Sequence, residues 1–215
     1  MLLCYITDRT QFSGDEATRC GRLLDKIAEA ARAGVDFIQL REKDLPSREL
    51  EDLAHAAVRV IRENSPLETR FLINSRTDVA IACSADGVHL RSHDIPPGEV
   101  RRILTENAGA RACERTFPVI GVSCHTVAEV VSAASEHASF AVFGPVFEKK
   151  DDREAHLAGM QALREACSQK IPVLALGGIT LENASSCVKA GAAGVAGIRI
   201  FQDNVMARVM EKLRG

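Results

Sequence analysis

Eight short apolar runs recur along this chain, each followed by a longer amphipathic stretch, and that alternation restricts the fold more than any other feature. The runs are Leu2 to Ile6, Phe37 to Leu40, Phe71 to Asn74, Gly87 to Leu90, Val119 to Val122, Phe140 to Phe143, Val173 to Leu176 and Gly194 to Ile198. Helical periodicity falls on Arg22 to Ala33, Ser47 to Glu63, Arg76 to Cys83, Pro97 to Glu106, Thr126 to Glu136, Leu157 to Cys167, Leu181 to Ala190 and Asp203 to Leu213. Strands that alternate with helices make a parallel sheet with crossover connections, and eight such units close into a single (β/α)8 TIM barrel over residues 1–215. The rival is an open doubly wound sheet, which requires two of the eight runs to be spurious.

The ends of the helical stretches support the alternation. Gly34 and Gly191 stand just past two of them, where a left-handed residue stops a helix. The segments Ala33-Gly34-Val35-Asp36, Ser84-Ala85-Asp86-Gly87 and Ala190-Gly191-Ala192-Ala193-Gly194 read as one helix-to-strand turn used three times. Thr126 with Glu129 has the spacing of a capping box, and Thr180 with Asn183 is a second cap candidate. No Pro/Ser-rich linker or change of composition divides the chain.

Barrel chemistry sits where strands end and helices begin. The second run ends in Gln39-Leu40-Arg41-Glu42-Lys43-Asp44, and residues two apart on a strand share a face. Gln39, Arg41 and Lys43 would then project together as an anion clamp, an amide with a guanidinium fork and an ammonium, suited to phosphate or diphosphate. The other strand ends contribute Thr7 and Asp8, Asn74 and Arg76, His89, Arg91 and Asp94, Ser123 and His125, Lys149 and Lys150, Gly177 and Gly178, and Arg199. Several cations, an Asp able to take a metal, and glycines after the seventh strand together describe a mouth for a phosphorylated small molecule.

Composition excludes other partners. A net charge of -2 with both signs dispersed leaves no polycationic face, and a chain with no Trp and one Tyr lacks a base-stacking platform, so nucleic acid is not expected. No run approaches membrane-spanning length, and the short apolar start Met1 to Ile6 lacks the basic flank of a signal peptide. The expected location is cytoplasmic; a homo-oligomer is left open. Seven scattered cysteines, Cys4, Cys20, Cys83, Cys113, Cys124, Cys167 and Cys187, form no CxxC pair and no zinc spacing, so they read as small buried apolar residues. Cys124, beside His125 at a strand end, is the one to watch.

Six segments, QLREKD at Gln39 to Asp44, LINSR at Leu72 to Arg76, ADGVHL at Ala85 to Leu90, IGVSCHT at Ile120 to Thr126, FGPVF at Phe143 to Phe147 and LALGGIT at Leu174 to Thr180, fall in the order found in thiamine phosphate synthases. By these the chain resembles the superfamily of thiamine phosphate synthases and thiazole tautomerases, which itself implies the eight-stranded barrel. The implied reaction joins an aminopyrimidine methyl diphosphate to a thiazole phosphate, releasing pyrophosphate. The resemblance implies that Gln39, Arg41, Lys43 and Asn74 hold the pyrimidine diphosphate, that Ser123 contacts the diphosphate, that Asp94 ligates Mg2+, and that Gly178 approaches the thiazole phosphate. Ile198 and Arg199 join the substrate-binding set at the eighth strand, with Lys149 and Lys150 from the loop after FGPVF. Arg41, Lys43, Ser123 and His125 are the catalytic candidates.

The chain also departs from the synthase pattern. Ser75 stands where a second metal carboxylate follows the Asn, and Arg91-Ser92-His93 replaces Gly-Gln-Glu before Asp94. The loop after GPVF reads Phe147-Glu148-Lys149-Lys150-Asp151-Asp152-Arg153, without the Thr-x-Thr-Lys element, and Arg199 replaces a Ser. Arg199 would then grip the thiazole phosphate, and Lys149 or Lys150 would supply the lost lysine. The alternatives are a thiazole tautomerase, although the His of that branch is Pro145 here and His125, His93 or His89 would have to serve, and a non-catalytic phosphate-ligand binder.

Overall fold

The computed structural model describes residues 1–65, 69–107, 118–148 and 157–215. Strands β1 (Leu2–Ile6), β2 (Phe37–Leu40), β3 (Arg70–Asn74), β4 (Gly87–Leu90), β5 (Val119–Cys124), β6 (Phe140–Phe143), β7 (Val173–Ala175) and β8 (Gly194–Gly197) pair in chain order, all parallel. β8 returns to β1 with Leu2 opposite Gly194 and Tyr5 opposite Gly197, which closes the barrel expected from the alternation.

Around it lie α1 (Glu16–Arg32), α2 (Ser47–Asn64), α3 (Thr77–Ala82), α4 (Pro97–Glu106), α5 (Val127–Ser135), α6 (Gly159–Cys167), α7 (Ala184–Lys189), α8 (Arg199–Gln202) and α9 (Met206–Arg214). α1 begins six residues before the periodic stretch, because the Asp15 side chain accepts from Thr18 N and caps a polar first turn. The eighth helical unit is two helices: β8 stops at Gly197, and Ile198 and Arg199 turn into α8 instead of extending the strand. α7 starts three residues later than its periodicity suggests. Thr180 and Asn183 bond each other reciprocally and close a turn ahead of the helix. The Thr126–Glu129 capping box forms as expected.

Four helices end in the same way. Gly34, Ser84, His137 and Gly191 have φ of +78°, +55°, +58° and +106°, and each following N–H reaches back to a carbonyl of the helix, as in Val35 to Ala30 and Ala138 to Ala133. Sequence revealed three of these stops; His137 carries no glycine signal and was not recognised. Two residues further on, Asp36, Asp86 and Ser139 accept the backbone N–H of Leu3, Phe71 and Ile120, tying each strand start to its neighbour.

Strand alternation divides the core in two. Leu3, Tyr5, Ile38, Leu40, Phe71, Ile73, Val88, Leu90, Ala141 and Phe143 face the helices, whereas Cys4, Ile6, Leu72, Phe140, Val142, Leu174 and Ala196 fill the barrel. Inward positions near the mouth are therefore fixed by parity: Gln39 on β2, Asn74 on β3, His89 on β4 and Ser123 on β5. The opposite side of the mouth stays apolar, with Ile6, Val142 and Ala196.

Candidate active site

Four inward polar residues form two hydrogen-bonded pairs on one half of the barrel. Gln39 donates from Nε2 to Asn74 Oδ1 at 2.9 Å, and His89 Nε2 lies 2.8 Å from Ser123 Oγ. Gln39 is 2% exposed, and its Oε1 has no partner among the described residues, a costly state that a ligand donor would relieve. His89 is also buried, and burial, then the Arg41 charge, lower its pKa to about 4 against a weaker opposing effect of Asp94. It is neutral at physiological pH. A Cβ at Gly121 would stand 2.6 Å from His89 Nδ1 and 2.6 Å from the Phe140 ring, so this neighbour must be glycine for the imidazole to fit.

Arg41 and Lys43 reach the mouth differently from the expected strand. β1 ends at Ile6, opposite Gln39, so the chain after Leu40 has lost one ladder partner and leaves the sheet. Arg9 shapes the loop that follows. Its side chain is 4% exposed and its guanidinium forks onto Asp44 at 2.7 and 2.8 Å, with Glu42 at 3.2 Å and Glu16 also in contact. Thr7 donates its hydroxyl to Glu42 and accepts the Arg41 N–H at 3.0 Å. The residues on either side of Lys43 are thus held by one buried arginine. Asp44 is kept below the ordinary carboxylate range by its bond to Arg9, against slight burial. Gln202 brackets Asp8 with bonds to its N–H and C=O, which anchors the same corner to α8.

Between these loops is a cavity of about 350 Å³ lined by Lys43, Asn74, Ser75, Arg76 and Arg91, with Leu40, Glu42, Leu45 and Leu50. Asp94 sits beside it. Its Oδ1 accepts Arg91 Nε at 3.0 Å and pairs with Nη2 at 2.9 Å, while Oδ2 accepts Arg91 N–H at 2.9 Å and the Ser75 hydroxyl at 2.8 Å. Partial burial would raise its pKa, but the bonds from Arg91 and Ser75 prevail and lower it. Arg76 is committed to Asp78 and Ser47.

The remaining candidates are dispersed. His125 is exposed, with Nδ1 2.7 Å from the Gly144 carbonyl, and His93 is exposed on the β4 loop. Gly178 has φ +62°, and a Cβ there would meet the Glu148 carbonyl at 2.5 Å, so the turn after β7 requires glycine. Arg199 is exposed at the first turn of α8, and Ile198 is half-buried before it. Lys149 and Lys150 lie outside the described residues, as does Cys113. Cys124 is buried and its pKa is pushed up to about 12 by burial, then by Glu129, so it is an inert thiol.

Comparison with known proteins gives the family. The family model for thiamine monophosphate synthase matches residues 3–201. The chain belongs to that family. A thiamine-phosphate synthase of Methanoculleus marisnigri is 40% identical over 198 residues, covering 90% of this chain and 84% of its own. One from Caldanaerobacter subterraneus subsp. tengcongensis is 33% identical over 216 residues, covering 99% and 92%. The solved thiamine phosphate pyrophosphorylase from Pyrococcus furiosus superposes with a TM-score of 0.77 at 30% identity, covering 99% of this chain and 93% of its own.

Within this member of the thiamine monophosphate synthase family, Gln39, Asn74 and Ser123 meet on one half-ring, with Arg41 close enough to His89 to perturb it. Sequence reading missed Arg9 and Glu42 and undervalued His89. Strand parity could have placed His89 inward opposite Ser123; nothing local joins Arg9 to residues 33 and 35 positions later.

Proposed function

We propose that this chain is a thiamine phosphate synthase, condensing 4-amino-2-methyl-5-(diphosphooxymethyl)pyrimidine with thiazole phosphate. The carbon–oxygen bond at the pyrimidine methylene breaks, diphosphate leaves with the electron pair, and the thiazole nitrogen lone pair forms the new carbon–nitrogen bond. The observation that carries this reading is the orphaned Gln39 Oε1 beside Asn74, a buried acceptor in a polar half-ring below cationic loops. An exocyclic amine would satisfy it, and Arg41 and Lys43 would take the diphosphate. Charge-assisted bonds to a leaving diphosphate strengthen as its charge develops. Ser123, oriented by a His89 that adds no charge of its own, would donate to the same group. The apolar half, Ile6, Val142 and Ala196, would keep water from the methylene cation.

The thiazole phosphate would approach Gly178 and Arg199, in the quarter where barrels hold phosphates, with Lys149 or Lys150 closing from the neighbouring loop. The family uses a metal cation, and Mg2+ at Asp94 is the form the sequence suggests. The donors here do not fit that ion. Asp94 already receives three hydrogen bonds and an ion-pair contact from Arg91 Nη2, Ser75 supplies no carboxylate, and no group of three His, Cys, Asp or Glu able to hold a metal occurs among the described residues.

The test is product detection with purified protein and both substrates, in Mg2+ and in EDTA. Thiamine phosphate and stoichiometric pyrophosphate are expected. No product under either condition would reject the synthase and leave the tautomerase or the silent binder.

A further inference from the structure

Both oxygens of Asp94 are already engaged by neighbouring side chains and backbone. A carboxylate offers about four lone-pair sites; the Arg91 Nε, the Arg91 backbone N–H and the Ser75 hydroxyl donate to three of them, and Arg91 Nη2 adds an ion-pair contact to Oδ1 at 2.9 Å. The turn that brings Ser75 there is itself specified. Ser75 has φ +58°, and its N–H is bonded to the His89 carbonyl at 2.8 Å, so the hydroxyl is held against Asp94 by backbone that a non-glycine residue rarely adopts.

We propose that Arg91 is the fixed cation of this site, standing in for the divalent ion and binding the diphosphate end of the substrate or pyrophosphate product. This rests on the synthase reading for the identity of the ligand and deepens it. Charge bookkeeping is coherent: a divalent ion between two carboxylates is neutral, and so is one arginine on one carboxylate with a serine in the second place. An arginine carries five N–H donors in a planar fork. Two engage Asp94 through Nε and Nη2, and Nη1 has no hydrogen bond among the described residues. The side chain is 58% exposed and lines the same cavity as Lys43 and Asn74. Asp94 therefore holds the Arg91 guanidinium at the cavity wall, with N–H donors remaining for a phosphate. Arg76, on the same wall, is held by Asp78 and also by Ser47 and is 35% exposed against 58% for Arg91, which makes Arg91 the more accessible of the two arginines.

The experiment uses inorganic pyrophosphate and Mn2+ as probes on the full chain, so it needs no turnover. Calorimetry in EDTA should show pyrophosphate binding to the wild type, weakened at least about tenfold in Arg91→Gln, the loss of a charge-assisted fork. Electron paramagnetic resonance should show no Mn2+ held by the wild type without pyrophosphate, and a site created in the Ser75→Asp/Arg91→Gly variant that Asp94→Asn then removes. Wild-type protein that binds Mn2+ through Asp94, or that needs the metal to bind pyrophosphate, would overturn the proposal. So would unchanged pyrophosphate affinity in Arg91→Gln. Arg91-dependent pyrophosphate binding by a protein that forms no thiamine phosphate would overturn the synthase reading and support this one.

Discussion

Mild acid should destabilise this barrel in part through His89. His89 takes up a proton near pH 6.5 in the unfolded chain and only near 4 in the folded one, because burial and then Arg41 disfavour the imidazolium. Between those values the unfolded chain binds the extra proton, so the stability owed to His89 is complete above pH 6.5, falls with pH, and is gone below 4. At about 1.4 kcal/mol for each tenfold change, the loss is about 3 kcal/mol. For a chain of this size that lowers Tm by roughly 6–12 °C. Urea unfolding from pH 4 to 8, for wild type and for His89→Gln, isolates the contribution, since the other titrating groups are common to both. The wild-type curve should fall relative to the variant across that window, and the His89 ring resonance should titrate near 4 by NMR. Parallel curves, or a ring that titrates above 6, would refute the assignment of a neutral buried imidazole holding Ser123.

The remaining predictions concern the clamp and the thiazole end. Arg9→Met should cost about 3–5 kcal/mol in urea unfolding, because it leaves Glu42 charged and buried without its partner; Glu42→Gln in the same chain should recover part of that loss while pyrophosphate affinity, measured by calorimetry, stays reduced. Arg41→Ala should weaken pyrophosphate by about 1.5–3 kcal/mol with the melting temperature unchanged; equal affinity would move the diphosphate elsewhere. Arg199→Ser should raise the KM for thiazole phosphate alone, as expected for an exposed side chain at the start of α8, and equal effects on both substrates in steady-state kinetics would remove Arg199 from the site.

Local pattern was enough to define the barrel, because eight short apolar runs separated by amphipathic helices leave few other ways to bury both faces of a parallel sheet. Parity in the second run put Gln39 on one face with Arg41 and Lys43, and the six family segments implied a shared diphosphate substrate for Gln39, Asn74 and Ser123. Glycine marked the helix stops at Gly34 and Gly191 but not the one at His137, since an αL residue without glycine leaves no compositional trace.

Tertiary structure decided the rest, through contacts between residues far apart in the chain. Thr7 and Arg9 meet Glu42 only when β1 and β2 pair, and that meeting bends the loop so that Lys43 leaves the strand face parity would give it. His89 becomes a neutral partner of Ser123 because β4 and β5 bring them together in a dry interior beside Gly121. Asp94 acquires its partners when the turn after β3 delivers Ser75 to one oxygen and Arg91 folds onto the other. Sequence determined which side chains line the mouth; closure of the barrel determined which of them neutralise one another and which are left for a ligand, because charge and hydrogen-bonding capacity are spent on the nearest partner in space.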